Sequence, residues 1–335
     1  MPVKHVILDY LSSRDAVPGR ELWELLGITR QAFNVHMREL IRSGKVQKSG
    51  STRGARYALV TRPQAAAEQQ RTVSLKGLEE SKVYDQLATP LSLRSQLRSN
   101  VEAIVQFAFT EILNNAIEHS QAEHSQVRLR LEPATVTFQV RDRGIGVFQS
   151  LASKLQLEDE QAALVELLKG KATTMPSSHT GEGIFFTSRA VDRFVLRSHR
   201  IRVEWDHYRD DVIVSKERFL AGTDVQCLVD RATRRKLEAV FEEFAPAEYD
   251  YRFDKTRVLV RLLQADYLSR SEAKRLLANL ERFREVVLDF KDVRSIGQGF
   301  ADEIFRVFAG RHPEIKIEIE NANSVVAAML RHVGA

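Results

Sequence analysis

The strongest periodic pattern in the chain lies in residues 99–120, SNVEAIVQFAFTEILNNAIEHS, and it predicts an amphipathic helix. At about 100° per residue, one face of this helix carries a stripe of apolar side chains: Val101, Ile104, Val105, Ala108 and Ile112. In the second half of the helix the same face carries Glu111, Asn115 and His119, one turn apart. Burying unpaired polar groups costs free energy. Either a pocket opens at this end of the helix, or the three groups satisfy one another.

A second hydrophobic pattern ends in the same way. Residues 135–147, TVTFQVRDRGIGV, alternate in polarity and predict a strand whose buried face carries Val136, Phe138 and Val140. Asp142 continues that buried face, and Gly144 and Gly146 follow directly. Polar groups therefore stand at one end of two separate buried faces. This coincidence predicts a ligand pocket between the helix and the strand.

A pair of glycines precedes a third element. Gly181 and Gly183 stand before a helix-like run in SSHTGEGIFFTSRAVDRF, residues 177–194. Glycines in this position let backbone N–H groups approach an anion, and a helix N-terminus favours phosphate. A GxG pair alone does not specify the ligand.

The N-terminal 62 residues predict three short helices followed by a strand pair. The third helical pattern starts at Thr29, a favourable N-cap, and stops at Gly44. Two strand-like pieces, 45–48 and 56–60, flank a turn rich in serine and glycine. Three helices followed by a hairpin resemble a winged helix-turn-helix domain.

That resemblance implies contacts with DNA. The third helix of such a domain enters the major groove, and its exposed residues here are chemically suited to base edges: Arg30, Gln31, Asn34 and Arg38. Three hairpin residues would contact phosphates: Lys48, Arg53 and Arg56. A winged helix used for dimerisation or protein contact is the alternative.

Charge is unevenly distributed along the chain. Residues 1–62 contain eleven Lys or Arg and five Asp or Glu, which is a net charge of +6. The remaining 273 residues sum to −1. A basic end on a near-neutral body indicates that this end meets an anion, which favours DNA over a protein partner.

Composition excludes several classes of protein. The chain has 335 residues and 43% hydrophobic content, enough for two or three globular domains. It has no apolar run of the ~18–20 residues that span a bilayer, and MPVKHVILDY does not resemble a signal peptide. Its single cysteine, Cys227, lies in an apolar segment and is expected to be buried. We therefore expect a cytoplasmic protein without membrane contact and without disulfides.

Three segments, in this order and spacing, resemble the GHKL ATPases: EILNNAIEHS, DRGIG and TGEGIFF. The resemblance covers about residues 73–230 and implies a Bergerat α/β sandwich that binds ATP and Mg²⁺. It implies that Asn115 coordinates Mg²⁺, which prefers oxygen ligands and keeps several waters. It also implies that Asp142 accepts a hydrogen bond from the amino group of adenine.

The same resemblance implies roles for the other motif residues. Glu111, one turn before Asn115, would polarise an attacking water or hydroxyl. His119 would orient a phosphate or form a hydrogen bond within the pocket, and a purely structural role is equally open. Gly144 and Gly146 would let the base approach closely. Gly181 and Gly183 would give backbone amides to the phosphates.

The segment between the second and third motifs corresponds to the lid of this family. Its middle indicates a short helix, and its end is small, polar and basic. The resemblance implies that four side chains reach the phosphates when the lid closes: Lys169, Lys171, Thr173 and Thr174. Lids often control nucleotide access. A solvated surface loop is the alternative interpretation.

The last 86 residues, 250–335, alternate between strand and helix patterns and predict a small separate α/β domain. The segment VVLDFKDVRSIGQGFADEIF resembles a STAS-like domain, the fold of anti-sigma-factor antagonists. Such antagonists carry a phosphorylatable serine at the start of the helix after the LDF strand. Here that place reads Gly297, Gln298, Gly299, and Ser295 is off register. The difference favours a domain that docks to a protein partner or senses a signal.

Together the patterns predict an α/β multidomain protein with four parts. They are a winged helix-turn-helix domain (1–62), a linker or short connecting helix (63–72), a GHKL ATP-binding domain (73–232) and a small STAS-like βαβ domain (250–335).

The combination favours an ATP-binding, DNA-binding transcriptional regulator in which Mg²⁺·ATP switches the arrangement of the domains. An anti-sigma-type serine/threonine protein kinase acting on a separate partner is the alternative. A third possibility is an assembly protein that performs no chemistry. The sequence leaves open whether ATP is hydrolysed, transferred or only bound, and whether the chain forms a homodimer.

Overall fold

The computed structural model describes residues 3–14, 16–49, 55–60, 66–170, 182–246, 253–262, 266–267 and 269–334. Buried apolar side chains form three clusters, one in the N-terminal region, one in the centre and one towards the C-terminus. No helix within these ranges is long and apolar enough to cross a membrane.

In the N-terminal region, three helices pack on a small antiparallel sheet. The elements are α1 (Val3–Ser12), β1 (Val17–Pro18), α2 (Gly19–Leu26), α3 (Arg30–Arg42), β2 (Val46–Ser49) and β3 (Arg56–Leu59). The strands are ordered β1-β3-β2. Thr29 caps α3 by accepting a hydrogen bond from the backbone N–H of Ala32 at 3.2 Å, and Gly27 ends α2 with φ 61°. The predicted start of α3 at Thr29 is thus confirmed by a local contact, and glycine suits the left-handed backbone at the end of α2.

The central region is a two-layer α/β unit. Its elements are β4 (Ala67–Ser74), α4 (Glu80–Ala88), α5 (Leu93–Gln96), α6 (Ser99–His119), β5 (His124–Leu131), β6 (Thr135–Asp142), α7 (Val147–Lys154), α8 (Glu160–Lys169), α9 (Gly183–Ala190), β7 (Arg193–Asp206) and β8 (Asp211–Asp230). The antiparallel sheet has the order β4-β5-β6-β8-β7. Strand β5 alternates strictly between exposed and buried residues, so one sheet face packs on helices and the other faces solvent.

Strand β4 corrects the predicted linker. Residues 67–74 pair with β5 along their whole length, from Ala67 opposite Leu131 to Ser74 opposite His124. The linker prediction is therefore wrong for residues 67–72, and 63–65 lie outside the described residues. As an edge strand β4 exposes most of its side chains, so its polar sequence is compatible with the sheet.

The long β7–β8 hairpin was not recognised in the sequence. Buried positions on β7 alternate up to Ser198, and the alternation changes phase between Ser198 and Ile201, where the register shifts. His199 adopts a positive φ of 50° at this bulge. The phase change hides the period of two that identifies a strand.

The C-terminal region is built around a parallel sheet of order β13-β11-β9. Its elements are α10 (Leu237–Phe244), β9 (Lys255–Leu259), a 3₁₀ turn (Val260–Leu262), β10 (Asp266–Tyr267), α11 (Arg270–Leu277), a second 3₁₀ turn (Leu280–Arg282), β11 (Glu285–Asp289), β12 (Ser295–Ile296), α12 (Gln298–Asp302), a π-helical turn (Glu303–Phe308), α13 (Ala309–Arg311), β13 (Lys316–Glu320) and α14 (Ser324–Val333). The predicted alternation of strands and helices is present. We call residues 253–334 the C-terminal domain.

The turn between β7 and β8 contacts both neighbouring regions. Towards the N-terminal region, the guanidinium of Arg38 lies 5.7 Å from the ring centroid of Tyr208. Towards the C-terminal domain, Lys291 Nζ donates to the backbone carbonyl of Asp210 at 2.6 Å, and Arg261 pairs with Asp211. One turn thus lies between the predicted DNA-reading helix and the C-terminal domain.

We expect the stability of the protein to depend on pH through His207. Its Nε2 lies 2.7 Å from the backbone carbonyl of Ser188, and burial lowers the pKa of His207 to about 4 from its ordinary value of 6.5. The unfolded state therefore takes up a proton first as the pH falls through the window from 6.5 to 4, and stability is lost there. Between pH 6.5 and 5 this group should lower the free energy of unfolding by about 1.5 kcal/mol.

Denaturant unfolding at several pH values checks this expectation. The variant His207→Gln removes the titrating group, so its free energy of unfolding should fall less than that of the wild type between pH 6.5 and 5. If the free energy of unfolding falls equally in the two proteins over this pH range, His207 is not responsible for the loss of stability.

Candidate functional site

A pocket opens between the second half of α6 and the buried face of the five-stranded sheet. Asn115 and His119 line it from the helix, and Asp142 lines it from β6. Residues from four further elements also contribute to the wall: Val147, Ile184, Leu196, Thr223 and Val225. The helix and the strand whose polar residues interrupt the hydrophobic pattern therefore meet at one place.

The carboxylate of Asp142 is buried at the end of β6 and held by backbone donors. Its side chain is 4% exposed. Oδ1 accepts hydrogen bonds from the backbone N–H groups of Gly144 at 2.8 Å and Thr223 at 3.3 Å. Burial raises the pKa of Asp142 above its ordinary value, and hydrogen bonds from backbone N–H groups oppose that shift. The hydrogen bonds from Gly144 and Thr223 both go to Oδ1, so we expect Oδ2 to be the oxygen that accepts a ligand donor.

Asn115 offers the pocket an amide oxygen. Its Nδ2 donates to the backbone carbonyl of Glu111 at 2.8 Å, one turn earlier in α6. Because the nitrogen is engaged with the helix backbone, Oδ1 is the atom that remains for a cation. An amide oxygen is a ligand that Mg²⁺ accepts.

Glu111 meets the amino end of α9. A β-carbon on Gly183 would overlap with Glu111 Oε2 and would lie 3.6 Å from Asn115 Nδ2. Only glycine therefore allows the first residue of α9 to approach the carboxylate so closely. Glu111, Asn115 and Gly183, which lie in two separate motifs, come together here, and their roles remain predictions.

His119 lines the pocket at the carboxyl end of α6, with its ring half buried. Its Nε2 lies 3.7 Å from Glu118 Oε2. This position fits either a hydrogen bond to a ligand or a structural contact with Glu118 at the end of the helix, so both alternatives stand.

Close packing of the chain requires glycine at positions 144 and 146, which the sequence did not suggest. A β-carbon on Gly144 would overlap with the backbone carbonyl of Ser120, and Gly146 has φ 81°. A β-carbon on Gly146 would also lie 2.5 Å from Ser198 Oγ and 2.9 Å from His199 Nε2. The space beside these glycines is filled by protein, so close packing of the chain explains them, and contact with a base remains only a prediction.

Two residues of β8 belong to the site and were missed. Thr223 donates its backbone N–H to Asp142, and its Oγ1 accepts from the backbone N–H of Val147 at 3.0 Å. Gly222, with φ 78°, passes so close to Asp142 that a β-carbon would overlap with the backbone oxygen of Asp142. A glycine inside the strand-like run AGTDVQC is the signal that marks this close approach.

The structure corrects the prediction for Lys169. This lysine is 2% exposed, and its Nζ donates to Glu166 Oε1 at 2.8 Å and to the backbone carbonyl of Ala278 at 2.7 Å. It therefore faces the C-terminal domain and is not among the residues that line the pocket. Four further predicted phosphate contacts lie outside the described residues: Lys171, Thr173, Thr174 and Gly181.

Most of the predicted DNA-contacting residues lie on one groove of the N-terminal region. The groove runs between α2, α3 and the β2–β3 hairpin, and four of these residues line it: Arg30, Asn34, Arg38 and Lys48. Gln31 is exposed on the first turn of α3. Arg56 donates to the backbone carbonyl of Ala16 at 2.8 Å, and Arg53 lies outside the described residues.

Comparison with known protein families finds two matches. Residues 79–204 match the model of the histidine kinase-like ATPase domain, and residues 272–327 match a STAS-like domain of unknown function. A comparison with curated proteins finds no match. The chain therefore contains a histidine kinase-like ATPase domain followed by a STAS-like domain. The first match includes α6, β6 and Gly183, and the N-terminal region lies outside both matches.

We expect Asp142→Asn to abolish nucleotide binding without weakening the fold. In the variant the side-chain oxygen can take over both backbone hydrogen bonds, which puts the amide nitrogen in the place of Oδ2. A donor would then face the amino group of adenine. Without nucleotide the variant should melt no lower than the wild type at pH 7, because it removes a buried charge.

Thermal shift measurements with ATP and Mg²⁺ check this expectation. At a nucleotide concentration of 100 times Kd, binding stabilises the wild type by about 2.7 kcal/mol, which raises the melting temperature by a few degrees. The variant should show no such rise. Equal rises in the two proteins would show that Asp142 does not contact the nucleotide.

Proposed function

We propose that this protein binds Mg²⁺·ATP in the pocket between α6 and β6, and that nucleotide binding regulates contact of its N-terminal region with DNA. The observation that supports the first part is the meeting of Asn115 and Asp142 at one pocket of a histidine kinase-like ATPase domain. Histidine kinase-like ATPase domains bind ATP, usually with Mg²⁺.

The residues of the pocket fit this ligand. Asp142 Oδ2 would accept the hydrogen bond of the adenine amino group, because Oδ1 already accepts two backbone donors. Asn115 Oδ1 would hold Mg²⁺, and the amino end of α9 at Gly183 would face the phosphates. When bound, Mg²⁺·ATP supplies an electrophilic terminal phosphoryl group.

Glu111 would be the base of a phosphoryl-transfer reaction. Its carboxylate lies against Gly183, at the end of α9 where the phosphates would bind. A carboxylate in this place could take the proton of an attacking water or hydroxyl as the new bond to the terminal phosphorus forms and the bond from that phosphorus to the oxygen of the leaving ADP breaks.

We expect Glu111→Gln to retain ATP binding and to lose turnover. The amide keeps the shape of the side chain beside Gly183 but cannot act as a base. The rate of phosphate release should fall by about 10²–10⁴-fold, while the thermal shift with Mg²⁺·ATP should remain. A variant that turns over ATP at the wild-type rate would exclude Glu111 as the base.

The N-terminal region supplies the argument for DNA. It has a net charge of +6, and four residues suited to bases and phosphates line one groove beside α3. The ATPase domain touches this helix at Arg38, which lies over Tyr208 of the β7–β8 turn. A nucleotide that changes the position of this turn would change the access of DNA to Arg38.

Fluorescence anisotropy with a labelled duplex of mixed sequence at low salt tests this coupling. Saturating Mg²⁺·ATP should change DNA affinity by roughly 5–150-fold. Tyr208→Ala should raise DNA affinity without nucleotide because it removes the ring beside Arg38 and leaves only the backbone carbonyl of residue 208, at 3.5 Å, to hold the guanidinium. Tyr208→Phe keeps the ring and should resemble the wild type. Unchanged DNA affinity at nucleotide saturation would end the regulatory part of the proposal.

An anti-sigma-type serine/threonine kinase is the second candidate. The presence of a STAS-like domain beside the ATPase domain favours it, because the chain resembles both partners of such a system. Within this chain the helix α12 begins at Gln298 after Gly297, so its first turn offers no hydroxyl for phosphorylation. Radiolabelled ATP with a cell lysate separates the candidates: a protein labelled by the wild type and not by Glu111→Gln would establish a kinase.

A further inference from the structure

The carboxyl end of α8 is buried against the C-terminal domain. Glu166 and Lys169 are both buried and paired, with Lys169 Nζ donating to Glu166 Oε1 at 2.8 Å. Burial lowers the pKa of Lys169, and the Glu166 carboxylate opposes that shift. Separating a buried charge pair costs free energy unless both groups find new partners. The carboxyl end of α8 is therefore held firmly against the C-terminal domain.

Several hydrogen bonds cross from α8 to the C-terminal domain. Asn279 Nδ2 donates to Glu166 Oε2 at 2.9 Å, and Thr256 Oγ1 donates to the backbone carbonyl of Lys169 at 2.6 Å. Lys169 Nζ donates to the backbone carbonyls of Ala278 at 2.7 Å and Arg275 at 3.4 Å. Both oxygens of Glu166 are therefore used, one within α8 and one across the domains. Hydrogen bonds to a buried charge are among the stronger ones in proteins.

Aromatic side chains hold helix α9 against the C-terminal domain as well. The rings of Phe185 and Phe253 lie 4.5 Å apart, those of Phe186 and Phe253 lie 5.2 Å apart, and both α9 residues belong to the hydrophobic core of the C-terminal domain. Gly170, with φ 104°, ends α8 so close to these rings that a β-carbon would lie 2.6 Å from Phe185. The ends of α8 and α9 thus share one packed contact with the C-terminal domain.

The first two residues of α9 lie at the proposed nucleotide site. Gly183 lies against Glu111, and Ile184 is part of the pocket wall. Residues 183 and 184 face the site while residues 185 and 186 are buried in the core of another domain. A rigid helix cannot move its core residues without moving its first turn.

We propose that Lys169 and Asn279 are positioning residues for the nucleotide site. They hold the C-terminal domain against α8 and α9, and this contact keeps the first turn of α9 at Glu111, ready for the phosphates. Release of the contact weakens Mg²⁺·ATP binding, because a site that must first be ordered binds its ligand less tightly. The STAS-like domain thereby controls the ATP site, an inference that rests on the proposed ATP binding.

The test compares two asparagines in the same domain. Asn279 and Asn321 both have a left-handed backbone, with φ 63° and 54°. Each donates its amide to a carboxylate at 2.9 Å, Asn279 to Glu166 across the domains and Asn321 to Asp289 within the C-terminal domain. At both positions, substitution of asparagine by aspartate keeps the shape of the side chain and places a second carboxylate beside the first, that of Glu166 or Asp289.

We expect Asn279→Asp to weaken Mg²⁺·ATP binding by at least about fivefold in isothermal titration of the full chain. The control Asn321→Asp should bind ATP as the wild type does, even where its melting temperature falls. Wild-type affinity in Asn279→Asp, or equal losses in the two single variants, would overturn the proposal.

A reciprocal experiment needs no variant. If docking strengthens nucleotide binding, the nucleotide must strengthen docking by the same factor. Saturating Mg²⁺·ATP should therefore slow amide hydrogen exchange at residues 276–280 of the wild type. ATP binding without this protection would overturn the positioning role and leave the ATP site intact, whereas a wild type that binds no ATP would refute the proposed function itself.

Discussion

The structure depends on one carboxylate that is kept away from water. Asp142 ends the central strand of the sheet with its side chain on the buried face, where an unsatisfied charge would be costly. Backbone donors from Gly144 and Thr223 compensate one oxygen. To supply them, the chain after β6 must turn tightly against Ser120, and β8 must pass close by at Gly222. The glycines, the helix end and the neighbouring strand are therefore arranged around a single polar atom.

Elements with a strong period could be predicted from the sequence, and elements without one could not. Helix α6 and strand β6 bury an uninterrupted stripe until their polar ends, and both occur where expected. Strand β4 escaped because an edge strand exposes most of its side chains and needs few apolar residues. Strand β7 escaped because the bulge at His199 shifts the buried face by one position.

The same distinction applies to the site. Asn115 and Asp142 could be found because each interrupts the pattern of its own element. Thr223 could not, because it reaches Asp142 from 81 residues away. Lys169 was assigned to the phosphates because its segment corresponds to the lid of the family that the sequence resembles. In the structure Lys169 contacts Ala278 and Glu166, and Glu166 also accepts a hydrogen bond from Asn279. These contacts join segments that are far apart in the sequence, so no local pattern reveals them.

The turn between β7 and β8 has a consequence for the evolution of the protein. Surface loops usually accept insertions and deletions, since little packs against them. This turn instead contacts Arg38 on one side and Lys291 and Arg261 on the other. Inserting or deleting a residue would displace the turn, and it would then lose its contact either with the N-terminal region or with the C-terminal domain. Among relatives that share all three regions, the length of this turn should therefore be preserved even where its residues vary.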